Sequence, residues 1–198
     1  MRLALLLLSA AAALAGCSVF PVSEASQTHP DSSSPAAAPT TTTTTSLTLP
    51  PRPREIPLDK VNPCTILTKD QRASLSLDTT PSPYTDTELK ARACTIRGTY
   101  SGQVARLALV TDEGAELWIS DEAQNKAKVI AVVGFPALEV RTPGLDTLCN
   151  VEVDVADGEF LDVMFRDGGG ATPIPQDDLC LGAQRVAEAA MSSLSGGH

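Results

Sequence analysis

The sequence predicts an α+β fold over residues 58–198, an antiparallel β-sheet with helices packed on one face and two disulfides. Three observations predict it. Short segments of alternating or β-branched residues are separated by glycine-containing turns. The chain ends in a helix with one apolar stripe. Four cysteines fall in this region, and an even number in an exported domain is typical of disulfides.

The first predicted element is a short helix. In PCTILTKDQRASLSL, Thr68 and Gln71 have the spacing of a capping box, in which each side chain accepts a hydrogen bond from the backbone N–H of the other residue. This spacing predicts a helix over residues 69–75. Pro81 and Pro83 then break the chain.

Strands follow this helix. The segments ACTIRGTY and QVARLALV are predicted as two strands joined at residues 98–102. The segment ELWISDEAQNKAKVIAV is ambiguous, because its start and middle favour a helix and residues 129–133 favour a strand. FPALEVR is a further predicted strand, after the turn at Gly134.

The clearest unit is a hairpin in CNVEVDVADGEFLDVMFR. Its valines alternate with acids, which indicates one buried and one solvent-facing side. A three-residue loop over residues 156–158, with Gly158 in the left-handed conformation, pairs Val153 with Leu161 and keeps the apolar face whole. A two-residue loop would shift the register by one residue and place acids on both faces. We therefore predict the three-residue loop.

The last element is a C-terminal helix. Asp177 is positioned to cap it, and the helix is expected to end at Gly196 and Gly197. Its apolar residues recur at three- and four-residue steps and predict one buried stripe, formed by Leu179, Ala183, Val186, Ala187, Ala190, Met191 and Leu194.

The four domain cysteines predict two disulfides, for which three connectivities exist. We favour Cys64–Cys94 and Cys149–Cys180, because each pair would join a local helix to a strand. A metal site would need short ligand spacings such as C-x2-C, and none occurs in the sequence.

The N-terminus predicts a membrane anchor. The apolar run over residues 3–15 is shorter than the roughly 20 residues that a transmembrane helix needs, and with Arg2 before it the run is typical of a secretory signal peptide over residues 1–16. The run ends in LAGC, which resembles the bacterial lipobox, so Cys17 is the predicted lipidation site. Two acyl chains anchor a protein stably. We therefore expect the protein on the extracytoplasmic face of the cell membrane.

Residues 17–57 are predicted to be the lipidated cysteine followed by a disordered stalk. Residues 18–57 hold eight of the fifteen prolines and a run of threonines at positions 40–45. Such a composition cannot bury enough apolar surface to offset its ordering entropy. Tracts of serine and threonine with proline are also typical of O-glycosylated stalks, so a glycosylated stalk and a bare linker both fit.

Five segments, in order, resemble those of one family. They are NPCTILT at 62–68, ACTI at 93–96, GFPAL at 134–138, CNVEVDVADGEFLDV at 149–163 and LCLGAQRVAEAAMSSL at 179–194. With the lipobox, this set resembles an actinobacterial lipoprotein family whose domain is the domain of unknown function 3558. The resemblance implies an extracytoplasmic lipoprotein with the two-disulfide framework, and it implies no catalytic residues. Ile96 departs from the family at a position where an aromatic residue is expected.

Composition and charge argue against several functions. The net charge of −9 argues against a nucleic-acid partner and against a domain lying flat on anionic lipid. The two histidines, His29 and His198, lie outside the predicted elements, which leaves no Ser-His or Cys-His nucleophile pair. The glycines of DGGGATP open no helix, and no other phosphate-binding motif occurs. We therefore predict no enzyme, no catalytic residue, no cofactor and no metal.

One candidate site remains, an acidic surface cluster of Glu152, Asp154 and Asp162. In the chosen register Glu152 faces Asp162 across the solvent-exposed side of the hairpin, an unfavourable pairing of like charges. Ca²⁺ or a basic partner would neutralise the pair, although the segment fails the EF-hand pattern. Solvation and the nearby Arg166 are the simpler explanation.

Two functions fit these observations. The first, which we expect, is a non-catalytic binding or interaction module of the cell envelope, for which the partner is an envelope protein, a glycan or a small ligand. The second is a carrier of a lipid or other apolar ligand, which predicts an apolar cavity of several hundred Å³ between sheet and helices. The seven aromatic residues leave room for such a cavity, but alanine-rich helices also pack closely without one.

Overall fold

A computed structural model describes residues 47–196; the predicted signal peptide, Cys17, His29 and His198 lie outside the described residues. Within them are two α-helices, α1 (Lys69–Ser74) and α2 (Gln176–Gly196), and one 3₁₀ helix (Ala115–Ile119). The strands are β1 (Ser82–Asp86), β2 (Ala91–Arg97), β3 (Gln103–Val110), β4 (Lys126–Val132), β5 (Phe135–Arg141), β6 (Leu148–Ala156) and β7 (Glu159–Asp167).

These strands form one antiparallel sheet in the order β1-β2-β3-β7-β6-β5-β4. Neighbours in space are neighbours in sequence except at the contact between β3 and β7, where the second half of the chain folds back beside the first. The α+β class with an antiparallel sheet and helices on one face is confirmed.

The main core lies between the sheet and the helices. The α2 residues of the predicted stripe from Leu179 to Met191 are fully buried against it, and Leu194 is half-buried. Gly182 permits the close approach, because a Cβ at this position would lie 2.4 Å from the Phe165 ring. Ile96, at the position where an aromatic residue was expected, is buried in this core at 1% exposure.

The helix ends differ slightly from the predictions. The predicted capping box is present: the backbone N–H of Gln71 donates to Thr68 Oγ1 at 3.2 Å, and the backbone N–H of Thr68 donates to Gln71 Oε1 at 2.8 Å. Helix α1 ends at Ser74, one residue before the predicted end. Helix α2 begins at Gln176, so the predicted cap Asp177 lies in its first turn and pairs with Arg141 at 2.6 Å.

Two elements were not predicted as they occur. Strand β1 contains Pro83, which the sequence indicated only as a break; a proline is tolerated there because β1 is an edge strand and its missing N–H costs no ladder bond. The ambiguous segment divides into the 3₁₀ helix and β4.

The hairpin of β6 and β7 has the predicted register. Val153 pairs with Leu161, and Glu152 pairs with Asp162. The loop is tighter than predicted, since Ala156 pairs with Glu159 and a bulge between Asp154 and Ala156 restores the register. Gly158 has a φ of 69°, the left-handed conformation that the prediction required.

Both predicted disulfides are present. Cys64, just before α1, joins Cys94 of β2, and Cys149 of β6 joins Cys180 of α2. Each pair therefore ties a helical region to the sheet, which was the reason for favouring this connectivity.

The folded part begins earlier than residue 58. Residues 49–57, here called the N-terminal strap, pack against the end of the β6–β7 hairpin. The N–H of Ile56 donates to the carbonyl of Val155 at 2.8 Å, and Arg52 pairs with Asp154 at 2.6 Å. The proline-rich composition gave no signal of these contacts, because their partners lie about a hundred residues away in sequence.

Candidate functional site

The predicted acidic residues lie on the face of the sheet opposite the helices. That face is shielded from solvent where these acids lie. Glu152 and Asp162 are 0% exposed and Asp154 is 3% exposed, so the prediction of an acidic surface cluster is wrong. A second, smaller hydrophobic core lies on this face. It is formed by Ala91, Ala93, Ala108, Val110, Ala115 and Phe160, with Leu49, Leu89, Leu117 and Trp118 packed against it.

The buried acids belong to a group that the sequence did not bring together. We call it the charged cluster: Asp86, Arg106, Asn150, Glu152 and Asp162. Arg106, from β3, donates to Asp162 Oδ1 from Nη2 at 2.7 Å and from Nε at 3.1 Å, and to Asp86 Oδ2 from Nη1 at 2.8 Å. Asn150 Nδ2 donates to Asp162 Oδ2 at 2.9 Å. Four of the five residues, all except Glu152, thus form a hydrogen-bonded network around one guanidinium.

Arg106 therefore has the neutralising role that the sequence assigned to solvent and Arg166. Arg166 instead donates to the carbonyl oxygen of Asp167 at 3.4 Å. The signal that could have identified Arg106 is its place in QVARLALV, where it is the only charged residue and every residue after Gln103 except Arg106 is apolar. Sequence alone did not show that β3 lies next to β7, which is what brings Arg106 beside Asp162.

Glu152 is the unusual member of the charged cluster. Neither of its carboxyl oxygens accepts a hydrogen bond from residues 47–196. Burial, reinforced by the adjacent Asp162 carboxylate, raises the pKa of Glu152 well above its ordinary range. Burial therefore favours the neutral form of Glu152, and in that form one guanidinium serves two carboxylates rather than three.

The pKa values of Asp162, Asp86 and Arg106 are also shifted by burial and by their partners. Burial raises the pKa of Asp162, and Arg106 opposes that shift. Burial also works against the ionised form of Asp86, but the backbone N–H groups of Leu89 and Glu88 together with Arg106 lower the pKa of Asp86. Burial disfavours the charge on Arg106, yet the neighbouring carboxylates raise its pKa above the ordinary value. The ion pairs of Arg106 with Asp86 and Asp162 are therefore the charged part of the cluster.

Glu152→Gln is expected to flatten the pH dependence of stability. Because the pKa of Glu152 is higher in the folded than in the unfolded state, its contribution is fully present below the unfolded value of about 4.3 and is lost as pH rises through the folded pKa. The amide cannot ionise. The free energy of unfolding, measured from pH 5 to pH 9, should fall less steeply for the variant. Glu122→Gln, at an exposed position, is the control, and parallel curves for Glu152→Gln and wild type would contradict a raised pKa of Glu152.

Asp154 does not join the charged cluster. Its two carboxyl oxygens accept hydrogen bonds from Arg52 Nη1 at 2.6 and 2.8 Å. Burial raises the pKa of Asp154, and Arg52 opposes the shift. This ion pair attaches the N-terminal strap to β6. Asp154 therefore stabilises the position of the strap, whose Leu49 packs against the second core.

Among residues 47–196, one group of side chains of the kinds that ligate metals lies close together, but its two cysteines cannot bind a metal ion. Single ligand atoms of Glu139, Cys149 and Cys180 lie within 4.8 Å of one another. The two sulfurs are bonded to each other in a disulfide, so they offer no thiolate.

A solvent-open cavity of about 350 Å³ lies at the edge of the second core, and we call it the Trp118 cavity. Leu89, Val110, Leu117 and Trp118 provide its apolar lining. The charged lining is Glu88, Lys90, Asp112 and Glu113, all exposed.

The cavity and the charged cluster have different roles. Glu152 and Asp162 are shut off from solvent, so the cluster cannot contact a ligand in this conformation and acts as a structural network. The cavity is accessible and combines an aromatic wall with acidic groups. It is therefore the candidate binding site, and the sequence reasoning missed it because its residues come from the β1–β2 turn, the end of β3 and the 3₁₀ helix.

Comparisons with known proteins agree with the motif pattern. No helix among residues 47–196 has both the length and the apolar composition needed to span a membrane. No curated protein and no solved structure matches the chain. A family model does match, over residues 12–193, and its description is "Protein of unknown function (DUF3558)". Because the match spans most of the chain, this protein belongs to that family of unknown function.

Proposed function

We propose that the protein is a lipid-anchored binding module of the cell envelope, attached to the extracytoplasmic face of the membrane through Cys17. The observation that carries the binding function is the Trp118 cavity, where the only tryptophan of the chain forms part of a solvent-open wall. Cavities that combine an apolar lining with a few polar groups are the usual form of a small-ligand site.

Export is supported by the cysteines. Both disulfides close within residues 64–180, and disulfides persist in oxidising compartments rather than in the cytosol. The LAGC tetrapeptide after a short apolar run supports lipid attachment at Cys17, the cysteine that belongs to neither disulfide. The N-terminal strap then begins about thirty residues after Cys17, which leaves a tether between the anchor and the domain.

The anchor is tested by metabolic labelling with an alkyne fatty acid in a bacterial host that processes lipoproteins. The full-length wild-type protein is expected to take up the label and to sediment with membranes, and Cys17→Ser is expected to lose both. Ser18→Ala, at the next position, is the matched control and should keep the label. A wild-type protein without label, or a labelled Cys17→Ser variant, would contradict the anchor.

A carrier of an apolar ligand stays the weaker proposal. The stripe of α2 packs directly on the sheet, and the contact of Gly182 with Phe165 brings helix and strand close together. That packing supports a filled centre of the layer, and the cavity of about 380 Å³ at its edge, where Phe165, Gly182 and Arg185 contribute, has a mostly polar lining that suits an apolar ligand poorly. Native mass spectrometry of the purified protein tests the carrier function, because a co-purifying lipid-sized adduct would favour it over a surface-binding module.

A further inference from the structure

We propose that part of the sheet face opposite the helices docks an acidic segment of another protein of the cell envelope. This part, which we call the open half, lies at the end of the strands away from the N-terminal strap. Its exposed and half-exposed residues include Ser82, Tyr84, Thr95, Arg97, Met164 and Arg166. The inference rests on the proposed envelope location and goes beyond it, because it does not depend on the Trp118 cavity.

The strand register places the residues of the open half on one surface. Thr95 of β2 and Met164 of β7 both pair with Arg106 of β3, and directly paired residues lie on the same face of a sheet. Residues two positions along a strand share a face, so Arg97 and Arg166 lie there too. Only β3 separates β2 from β7, which sets the backbones of these two arginines roughly 10 Å apart.

Burial shows that this surface is open to solvent. Toward the helices, Ile96 and Phe165 are 1% and 3% exposed. The residues that follow them, Arg97 and Arg166, point to the other face and are exposed and half-exposed. Tyr84, on the edge strand β1, is 41% exposed. The second core and the N-terminal strap contact the opposite end of β7 and β6, so they leave the open half accessible.

The composition of the open half is typical of a protein interface. Such interfaces are enriched in tyrosine, methionine and arginine and depleted in lysine, aspartate and glutamate. Tyr84, Met164, Arg97 and Arg166 are of the enriched types, and the six residues named for the open half include no lysine and no acid. Tyrosine and arginine are also among the residue types that contribute most to binding energy. This pattern favours a protein partner over a glycan or a lipid surface.

The charge of the open half is positive and has no carboxylate to balance it. None of the ion pairs among residues 47–196 uses Arg97 or Arg166. The acids on the same face, Asp86 and Asp162, are buried and already paired with Arg106. The chain as a whole has a net charge of −9, so a cationic surface on it is an exception. Complementary charge steers association, which selects an acidic partner.

A cavity beside β1 extends the open half. Its volume is about 480 Å³, and Tyr84 belongs to both. Pro63 and Pro83 contribute an apolar wall, and Lys60 and Arg92 contribute the charged lining. Interfaces are commonly anchored by a side chain of one partner that fills a pocket of the other. A pocket with two cations and no acid in its lining fits an anchor that carries a carboxylate.

Arg92 is held in place within this cavity. Its guanidinium donates to the carbonyl oxygens of Val61, Leu58 and Asp59 at 2.6, 2.9 and 3.0 Å. These carbonyl groups fix the side chain without cancelling its charge, and none of the ion pairs found in residues 47–196 uses Arg92 or Lys60. A fixed cation loses little side-chain entropy when a carboxylate binds beside it.

Photo-crosslinking in the native host tests the partner. The full-length protein is produced with Tyr84 replaced by benzoylphenylalanine, and the crosslinked products are mapped by mass spectrometry. We expect a product with one other protein, joined at a segment of net negative charge. Replacement of Leu181, which is 51% exposed on α2, is the control and should not give this product. No product, the same product from both positions, or attachment to lipid, glycan or a second copy of this chain would overturn the proposal.

Charge reversal locates the docking surface. Arg97→Glu is expected to reduce the yield of the Tyr84 product roughly three- to tenfold, because repulsion replaces attraction to the acidic segment. Arg185→Glu makes the same change at an exposed arginine of α2 and should leave the yield unaltered. Equal yields from the two variants would overturn the assignment of the open half. Circular dichroism confirms that both variants are folded.

Two polyanions separate a protein partner from a glycan. In isothermal calorimetry, the purified full-length protein is titrated with poly-L-glutamate and with polygalacturonate, which both carry carboxylates. Saturable binding of poly-L-glutamate is expected, weaker for Arg97→Glu than for Arg185→Glu and weaker at about 0.15 M salt than at low salt. No binding of poly-L-glutamate, or tighter binding of polygalacturonate, would overturn the protein partner. Either failure leaves the labelling of Cys17 unaffected, so the two proposals fail separately.

Discussion

Arg106→Met is expected to lower the free energy of unfolding by about 3–5 kcal/mol at pH 7. Arg106 is the guanidinium that Asp86 and Asp162 share, at 2.8 and 2.7 Å, and these carboxylates are 7% and 0% exposed. Methionine fills much of the same volume but carries no charge. The expected loss of stability therefore comes mainly from two buried carboxylates that no longer have a cation beside them. Urea denaturation followed by circular dichroism measures it.

A neighbouring arginine provides the control. Arg97 lies on β2 at an exposed position, so Arg97→Met should change the stability by no more than about 0.5 kcal/mol. The effect of Arg106→Met should also shrink at low pH, because protonated Asp86 and Asp162 no longer need a cation. An Arg106→Met variant as stable as Arg97→Met would contradict the role assigned to the charged cluster.

A second variant separates charge from packing. Adding Asp162→Asn to Arg106→Met removes one of the stranded carboxylates but keeps the partner of Asn150. The double variant should therefore recover part of the stability that Arg106→Met loses. No recovery would mean that the loss comes from packing at position 106 rather than from unpaired charge.

Cys149→Ala with Cys180→Ala is expected to lower the free energy of unfolding by about 3.5–4 kcal/mol in the chain-entropy model of disulfide stabilisation. This disulfide joins residues 31 positions apart and ties β6 to α2. Without it the unfolded chain gains conformational freedom. Guanidinium denaturation of the purified protein under oxidising conditions measures the loss.

The other disulfide is a matched comparison. Cys64–Cys94 joins residues 30 positions apart, so chain entropy predicts nearly the same loss for Cys64→Ala with Cys94→Ala. Both Cys149 and Cys180 are buried, whereas Cys64 is half-buried. Any excess loss for the Cys149–Cys180 pair therefore reports the packing of its sulfurs in the main core. A loss below about 1 kcal/mol for both pairs would contradict the stabilising role of the disulfides.

The charged cluster and the Trp118 cavity are connected through Asp86. Its carboxylate accepts two hydrogen bonds from the turn that carries Glu88 and Leu89, and its other oxygen binds Arg106. Through these bonds the buried network fixes the backbone of a turn that lines the accessible Trp118 cavity.

Local chemistry determined much of this fold from sequence. The capping box of Thr68 and Gln71, the stripe of α2 and the alternation along β6 depend on residues a few positions apart, and a linear pattern reports such neighbours directly. The register of the hairpin followed for the same reason, since a shift of one residue would have moved Val153 and Leu161 off the buried face. Cysteine count and element order were enough to favour the two disulfides.

What the sequence could not decide is what covers the second face of the sheet. Alternation of Val151, Glu152 and Val153 shows that two faces differ, but it does not distinguish water from a buried guanidinium on the polar face. That distinction depends on β3 lying beside β7, on the N-terminal strap reaching Asp154 and on the 3₁₀ helix bringing Trp118 over the sheet edge. These contacts join residues far apart in the chain, and only the tertiary structure shows that the predicted row of surface acids is a buried network.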